Sequence, residues 1–440
     1  MTHSPQNNQS LWSTILAGII GMFMACVVAK IGNPVIFKSM EVPPTNIFEV
    51  LFATWPLSWG YFMLTVVSIA SLTYTRKPPR RMPPLWFYGC LIGWFLWTGL
   101  SRTHSVAPEL SVLTIMHFGA AMLIFHIGLL ALGRLPNLQP FWLLMCLSFL
   151  YIFWTGIEQH NGGLEATRKA FYADPNWQSF PKEYQLKIQS NRIFGPFIYP
   201  NTFAGAILLW CPALVIALWT WAARFPSILQ KVVVGLFIVC GTVCLFWTGS
   251  KAGWLIAIVM AGVGLLHLQM KRGVKIGIVS AVVVVGLTGF AIKNRAYFEK
   301  GATSAGARFI YWKAALQVAN EHPLLGAGPG TFAKTFAPLK PPEAEMARLV
   351  HNDYLEQACD SGWPAFVLFL GFVSGGLFLG HRQIKQSKIH FAVWLGLLGW
   401  ALQSFVEFGL YIPAIAWSAF LLLGWLLSSR IPIDTPKPNP

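Results

Sequence analysis

Residues 232–268 read VVVGLFIVCGTVCLFWTGSKAGWLIAIVMAGVGLLHL: two apolar runs, 232–249 and 252–268, with one serine and one lysine between them. Each run is close to the roughly 20 residues that carry a helix across a hydrocarbon core. Neither shows the polar outer face that a water-soluble helix of this length needs. Outward from this pair, similar runs recur near 11–30, 50–72, 84–100, 111–131, 140–158, 201–221, 274–292, 362–380, 391–409 and 412–428. The composition agrees: of 440 residues, 55% are hydrophobic and only 11% charged, with a mean hydropathy of +0.55. The expected fold class is an all-α polytopic membrane protein of about twelve transmembrane helices, forming a single membrane domain over 1–440.

The net charge of +16 would by itself suit a nucleic-acid partner. Its distribution speaks against one. With a cytoplasmic N-terminus, the cytoplasmic loops and tail hold Arg76, Lys77, Arg80, Arg81, Arg134, Arg224, Lys231, Lys271, Arg272, Lys275, Arg382, Lys385, Lys388, Arg430 and Lys437, against one acid, Asp434. The basic residues on the other side are nearly balanced by acids. This is the positive-inside pattern, so both termini are expected in the cytoplasm and no nucleic acid is expected as partner. The polar N-terminal decapeptide lacks a basic region and a small-residue cleavage site, so the first span reads as a retained anchor. Six of the seven cysteines fall inside apolar runs, and Cys359 stands alone at a helix entrance. That pattern is neither a disulfide framework nor a zinc site. Cys240 and Cys244 share a helix face, where packing accounts for them.

Two connections, about 159–200 and 293–362, are long, and both fall on the outer side. Connections of that length in a compact bundle are functional or disordered, and the aromatic residues here favour order. Within the second, Ala307 to Asn320 reads as an amphipathic helix whose apolar stripe is Phe309, Trp312, Ala315, Leu316 and Ala319. Gly326-Ala327-Gly328-Pro329-Gly330 follows as a turn for close backbone packing. It is not a phosphate loop, since no Gly-Lys-Ser/Thr and no strand accompany it.

Three cations stand at outer span boundaries: Arg192, ahead of Phe194-Gly195-Pro196-Phe197; Lys251, in Thr248-Gly249-Ser250-Lys251; and Arg308, which opens the amphipathic helix. Taken singly, each has a plain alternative as a basic residue reaching for lipid headgroups. Together, on a nearly neutral face and with Lys251 and Arg308 at helix starts, they suit a diphosphate on a lipid carrier. No Asp-x-Asp and no His/Glu set at ligand spacing lies on that side, so metal-free chemistry without a cofactor is expected. His351, in Leu349-Val350-His351-Asn352-Asp353-Tyr354, is the candidate proton acceptor, with Asp353, Glu356 and Asp360 near enough in sequence to orient or replace it. The alternative is a loop histidine that only forms hydrogen bonds. With no Ser/His/Asp or Cys/His arrangement in view, direct attack by an acceptor is the expected chemistry.

These segments resemble the bacterial O-antigen ligase family, which shares its C-terminal domain with O-antigen polymerases. The likeness rests on Arg192 to Phe197 with Pro200-Asn201-Thr202-Phe203-Ala204, on Thr248 to Lys251, on Ala307-Arg308-Phe309-Ile310-Tyr311-Trp312 with Pro323 to Gly328, and on His351-Asn352 followed by Gly362. The resemblance implies a metal-independent glycosyltransferase of the superfamily C type, multi-pass in the bacterial inner membrane. It would move a glycan from undecaprenyl pyrophosphate to an acceptor hydroxyl at the periplasmic face, with inversion. The acceptor would be lipid A–core for a ligase, or another glycan for a polymerase. By the same resemblance His351 matches the base, and Arg192 and Arg308 match basic residues near the donor phosphates. Lys251 belongs to that donor set, while Asn201, Ser250, Asn352, Asp353 and Tyr354 stand beside these positions as supporting residues. Two positions depart from the family pattern: Lys251, where arginine is usual, and Ala365, where Gly, Thr or Tyr is usual. Protein O-glycosylating relatives usually carry a further soluble C-terminal region, which makes ligase the expectation and polymerase the alternative. A transporter would use charged groups near the midplane, and Glu407 would be its coupling acid.

Overall fold

The computed structural model describes residues 5–37, 43–75, 82–179, 185, 188–295 and 303–428, and among them it is helical with no strand. Arg76, Lys77, Arg80, Arg81, Arg430, Asp434 and Lys437, which entered the charge count, lie outside the described residues. In chain order the helices are α1 (Pro5–Lys30), α2 (Ile47–Phe52), α3 (Leu57–Thr75), α4 (Leu85–Ser101), α5 (Pro108–Leu130), α6 (Gln139–Glu158), α7 (Leu164–Ala173) and α8 (Pro200–Ala222). They continue with α9 (Ser227–Trp247), α10 (Lys251–His267), α11 (Arg272–Lys293), α12 (Thr303–Glu321), α13 (Phe332–Leu339), α14 (Asp353–His381), α15 (Lys388–Gln403) and α16 (Pro413–Ser428).

Ten of the twelve expected runs lie on single helices to within two residues, whereas 50–72 is divided between α2 and α3 and 391–409 runs past the end of α15 at Gln403. Seven helical stretches are both long and apolar enough to cross a membrane, and α3, α10 and α16 are shorter apolar helices. These make ten against the expected twelve, α4 and α15 being in neither group; α16 has 16 residues and α10 has 17, below a full hydrocarbon thickness at 1.5 Å per residue. α16 forms the axis of the bundle, with every residue from Pro413 to Leu426 buried. At the other extreme α11 buries none, so its apolar side chains are left for lipid.

Where lipid surrounds the helices, burial of apolar area no longer drives them together, and close packing must. Glycines permit it. Gly128 of α5 lies against the Leu421 carbonyl, and Gly424 of α16 against the Phe125 carbonyl, so each helix presents its missing side chain to the other's backbone. Gly396 of α15 meets the Leu209 carbonyl of α8 in the same way.

Two sequence expectations change. The helix after His351 begins at Asp353, not near 362, and Gly362 (φ 77°) only kinks it. There Trp363 N–H donates to Pro323 O at 2.9 Å, a bond outside the helix ladder. The inward face of the amphipathic helix is shifted in part: Ala315 and Ala319 are buried and Trp312 packs against the same cluster, as expected, joined by Tyr311, Ala314 and Val318, whereas Phe309 is 65% exposed and Leu316 is 37% exposed. The inward face packs on Phe332 and Phe336 of α13 and on Val350 and Cys359. The glycine turn behaves as expected, because Ala327 N–H and Gly328 N–H donate to the carbonyls of Cys359 (3.0 Å) and Asp360 (2.8 Å).

Replacing Gly424 with leucine should force α5 and α16 apart and destabilise the protein by about 2 kcal/mol or more. Gly89→Leu, with nothing within 4 Å of its new Cβ, should leave the unfolding temperature in detergent near that of the wild type. Equal unfolding temperatures for the two variants would contradict this packing.

Candidate functional site

Glu407 occupies the turn between α15 and α16 and is the one acid between Asp360 and Asp434. A buried carboxylate must be paired, and the partners here come from three distant stretches. Arg308 of α12 donates through Nη2 to Glu407 Oε1. Asn201, the second residue of α8, donates through Nδ2 to the same oxygen at 2.6 Å. The imidazole Nδ1 of His351 lies 3.4 Å from Oε2, an ion-pair distance without a formed hydrogen bond.

Arg308 is fixed on its other edges by the carbonyls of Val406 (2.9 Å) and Ser304 (3.2 Å). Asn201 also accepts from Arg192 Nη2 at 2.6 Å, and Arg192 Nε donates to Thr248 O at 2.6 Å. A single hydrogen-bonded path therefore runs from the turn before α10, through Arg192 and Asn201, to Glu407 and Arg308. The loop carrying Arg192 is held by Gln159, whose Oε1 accepts from the N–H groups of Phe194 (2.9 Å) and Gly195 (2.8 Å). On the far side, Gly249 takes φ 59°, and a Cβ there would fall 3.2 Å from Arg192 Cγ and Nε. Lys251 opens α10 just beyond this turn and lies within electrostatic reach of Arg192 and Arg308.

Charge accounts for the protonation states. Burial works against ionising Glu407, yet the His351 imidazole and the Arg308 guanidinium hold its carboxyl below the usual carboxylate range. Burial pulls Arg192 below its ordinary value; Glu407 opposes that and Arg308 adds to it.

His351 has φ 56°, and among the described residues no other non-glycine residue has positive φ. That backbone region costs on the order of 1–3 kcal/mol and persists only where the surroundings impose it. Here they do. The ring stacks on Tyr311 at 5.9 Å and meets the edge of Phe408 at 4.7 Å. Immediately afterwards, Asn352 caps α14 by accepting from the N–H groups of Tyr354 (3.1 Å) and Leu355 (3.0 Å).

Of the expected site residues, His351, Arg192, Arg308 and Asn201 meet around Glu407, and Lys251 flanks them. The others serve the scaffold. Ser250 caps α10 through Gly253 N–H. Asp353 receives the Leu410 N–H on both carboxylate oxygens, and Tyr354 donates to Ala401 O. Glu356 and Asp360 were expected to orient or replace His351, but their carboxylates are engaged elsewhere. Glu356 accepts from Val350 N–H, and Asp360 from Gly330 N–H and Tyr411 O–H. The acid beside His351 is Glu407. Its signal in the sequence was its isolation in a long apolar stretch, which by itself suggested a transport acid. Among the described residues, no group of three His, Cys, Asp or Glu side chains comes together as a metal site needs.

Breaking the pair should show directly. Arg308→Ala leaves a buried carboxylate unpaired and should cost about 3–5 kcal/mol, less in a Glu407→Gln background, as read by a double-mutant cycle on unfolding. Because the Glu407 carboxyl is depressed on folding, its contribution is present at neutral pH and lost as pH falls through and below the usual carboxylate range. The stability gap between wild type and Glu407→Gln should therefore narrow in acid. A gap that widened there would contradict the assignment.

Residues 236–370 match a family model described as O-antigen ligase, so the likeness drawn from the motifs holds across that stretch. The match takes in Lys251, Arg308 and His351; Arg192, Asn201 and Glu407 lie outside it. No curated protein matches the chain.

Proposed function

We propose that this multi-pass membrane protein is an inverting, metal-independent glycosyltransferase that moves a glycan from undecaprenyl pyrophosphate to an acceptor hydroxyl, most simply that of lipid A–core, at the periplasmic face of the bacterial inner membrane. The observation that carries this reading is the meeting of His351, Glu407 and Arg308 from separate stretches of chain, tied through Asn201 to Arg192.

The chemistry follows from that arrangement. With its proton on Nδ1 toward Glu407, His351 presents Nε2 as the acceptor nitrogen. The acceptor hydroxyl attacks the anomeric carbon and gives its proton to Nε2. The new C–O bond forms as the bond from that carbon to the diphosphate oxygen breaks, and the sugar inverts. The imidazolium that results faces the Glu407 carboxylate, which stabilises it and then lets the proton pass to water. The donor diphosphate is already anionic, and as it departs its leaving oxygen gains a further negative charge, which the fixed cations Lys251, Arg192 and Arg308 favour over the less charged ground-state diester. Glu407 serves as the positioning residue for His351. Its carboxylate is taken up by Arg308 and Asn201, an occupation that suits an oriented base and not a coupling acid waiting for an ion.

Purified protein given undecaprenyl-pyrophosphate-linked glycan and core lipid in the presence of a chelator should label the core lipid. His351→Ala should lower that transfer by about 10²–10⁴-fold while elution volume and unfolding temperature stay unchanged. Full activity in the variant would reject His351 as the base. Label extending glycan chains, or entering protein, in place of core lipid would reject ligation in favour of polymerisation or protein glycosylation.

A further inference from the structure

α10 begins at Lys251 and α11 ends at Lys293. The two helices run antiparallel, joined by a turn of a few residues, so the first residue of one and the last of the other lie at the same end of the pair. A cleft opens between them there, lined by Leu245, Gly249, Ser250, Trp254 and Asn294 together with the two lysines. Trp254 ties its walls together by donating to Gly286 O at 3.2 Å. Among the described residues lining it there is no carboxylate. Lys293 is held in place by the ring of Phe246, 3.2 Å from its centroid, and by a hydrogen bond to Phe246 O of 2.6 Å. That bond uses one of the three ammonium N–H groups and the ring covers one side of the ammonium, so its remaining side is the one that can meet a ligand. Lys293 feels the positive charges of Arg192 and Lys251, an unfavourable gathering that an anion would relieve.

The surroundings describe the rest of the ligand. α11 buries no residue, and Val284, Val285, Leu287 and Ile292 are all exposed, so the cleft opens on the lipid-facing edge. Its inner wall is Gly249, behind which Arg192 leads to Asn201, Glu407 and His351. We propose that Lys293 is a second ligand for the donor diphosphate, acting with Lys251 across the α10–α11 cleft while the polyprenyl chain leaves along the exposed face of α11. One ammonium is a point charge that serves one phosphoryl group at a time; two, on opposite walls, meet both groups of a diphosphate. This assignment rests on the glycosyltransferase reading, yet the two can fail separately.

The test measures binding of undecaprenyl pyrophosphate and of undecaprenyl monophosphate to the full protein in nanodiscs, by native mass spectrometry, alongside glycan transfer. Lys293→Gln should weaken the diphosphate lipid by about tenfold or more, weaken the monophosphate far less, and raise the donor KM with little change in kcat. Lys293→Arg should restore binding, and Lys251→Arg should partly restore it in the Lys293→Gln background, since a guanidinium fork spans two oxygens. His351→Ala should bind both lipids as the wild type does while remaining inactive. Diphosphate binding unchanged in Lys293→Gln but lost in Lys251→Gln would overturn the role of Lys293 and leave the transferase reading intact. Equal weakening for the two lipids, unrelieved by arginine and accompanied by a lower unfolding temperature, would reduce Lys293 to a brace for Phe246 and equally overturn it. Wild-type protein that neither binds the diphosphate lipid nor transfers glycan would overturn both readings.

Discussion

The site depends on the cost of burying the Glu407 carboxylate. An anion withdrawn from water at this depth is tolerable only if cations and N–H donors surround it, and the chain delivers them from α8, α12 and the loop before α14. Each partner is then constrained in turn. Arg308 cannot leave without stranding Glu407, and Asn201 is held between a carboxylate and a guanidinium. His351 has its imidazole Nδ1 turned toward the same anion, 3.4 Å from Oε2. The placement of the His351 imidazole and the joining of these separate stretches are thus consequences of one electrostatic requirement.

The scaffold beneath is built to hold that requirement still. Buried polar groups link α14 to its neighbours: Tyr411 donates to Asp360 at 2.5 Å and accepts from Gln357 at 3.1 Å, and Gln357 accepts from Trp94 at 2.8 Å. In a low-dielectric interior such hydrogen bonds are strong and favour one arrangement over near alternatives. Three carboxylates, Asp353, Glu356 and Asp360, are buried within eight residues at this helix start, and each accepts from a backbone N–H: Leu410, Val350 and Gly330 respectively. The positive φ of His351 is the strain left where this rigid helix start meets the loop above it.

Much of the helical layout was legible because hydropathy and turn chemistry are local. The runs over 201–221 and 232–249 needed no knowledge of their neighbours, and the glycine turn at 326–330 announced close backbone approach by composition alone. Errors arose where a segment's environment, not its own pattern, set its conformation. Asp353 to Asp360 looked too polar for a membrane helix, and its carboxylates are helical only because Leu410, Gly330 and Tyr411 supply donors. Likewise the apolar stripe on α12 was right for Ala315 and Ala319, but Tyr311 and Val318 enter the core in place of Phe309 and Leu316.

By itself the sequence determined that this chain is a bundle of apolar helices, because transfer energies add up along a segment whatever else the chain does. It also named His351 and three of the cations, since titratable groups at span boundaries are few enough to stand out. Tertiary structure alone decided which acid accompanies the histidine. Glu407 meets Asn201 across 206 positions and Arg308 across 99, and electrostatic pairing follows distance in space, which no local pattern encodes.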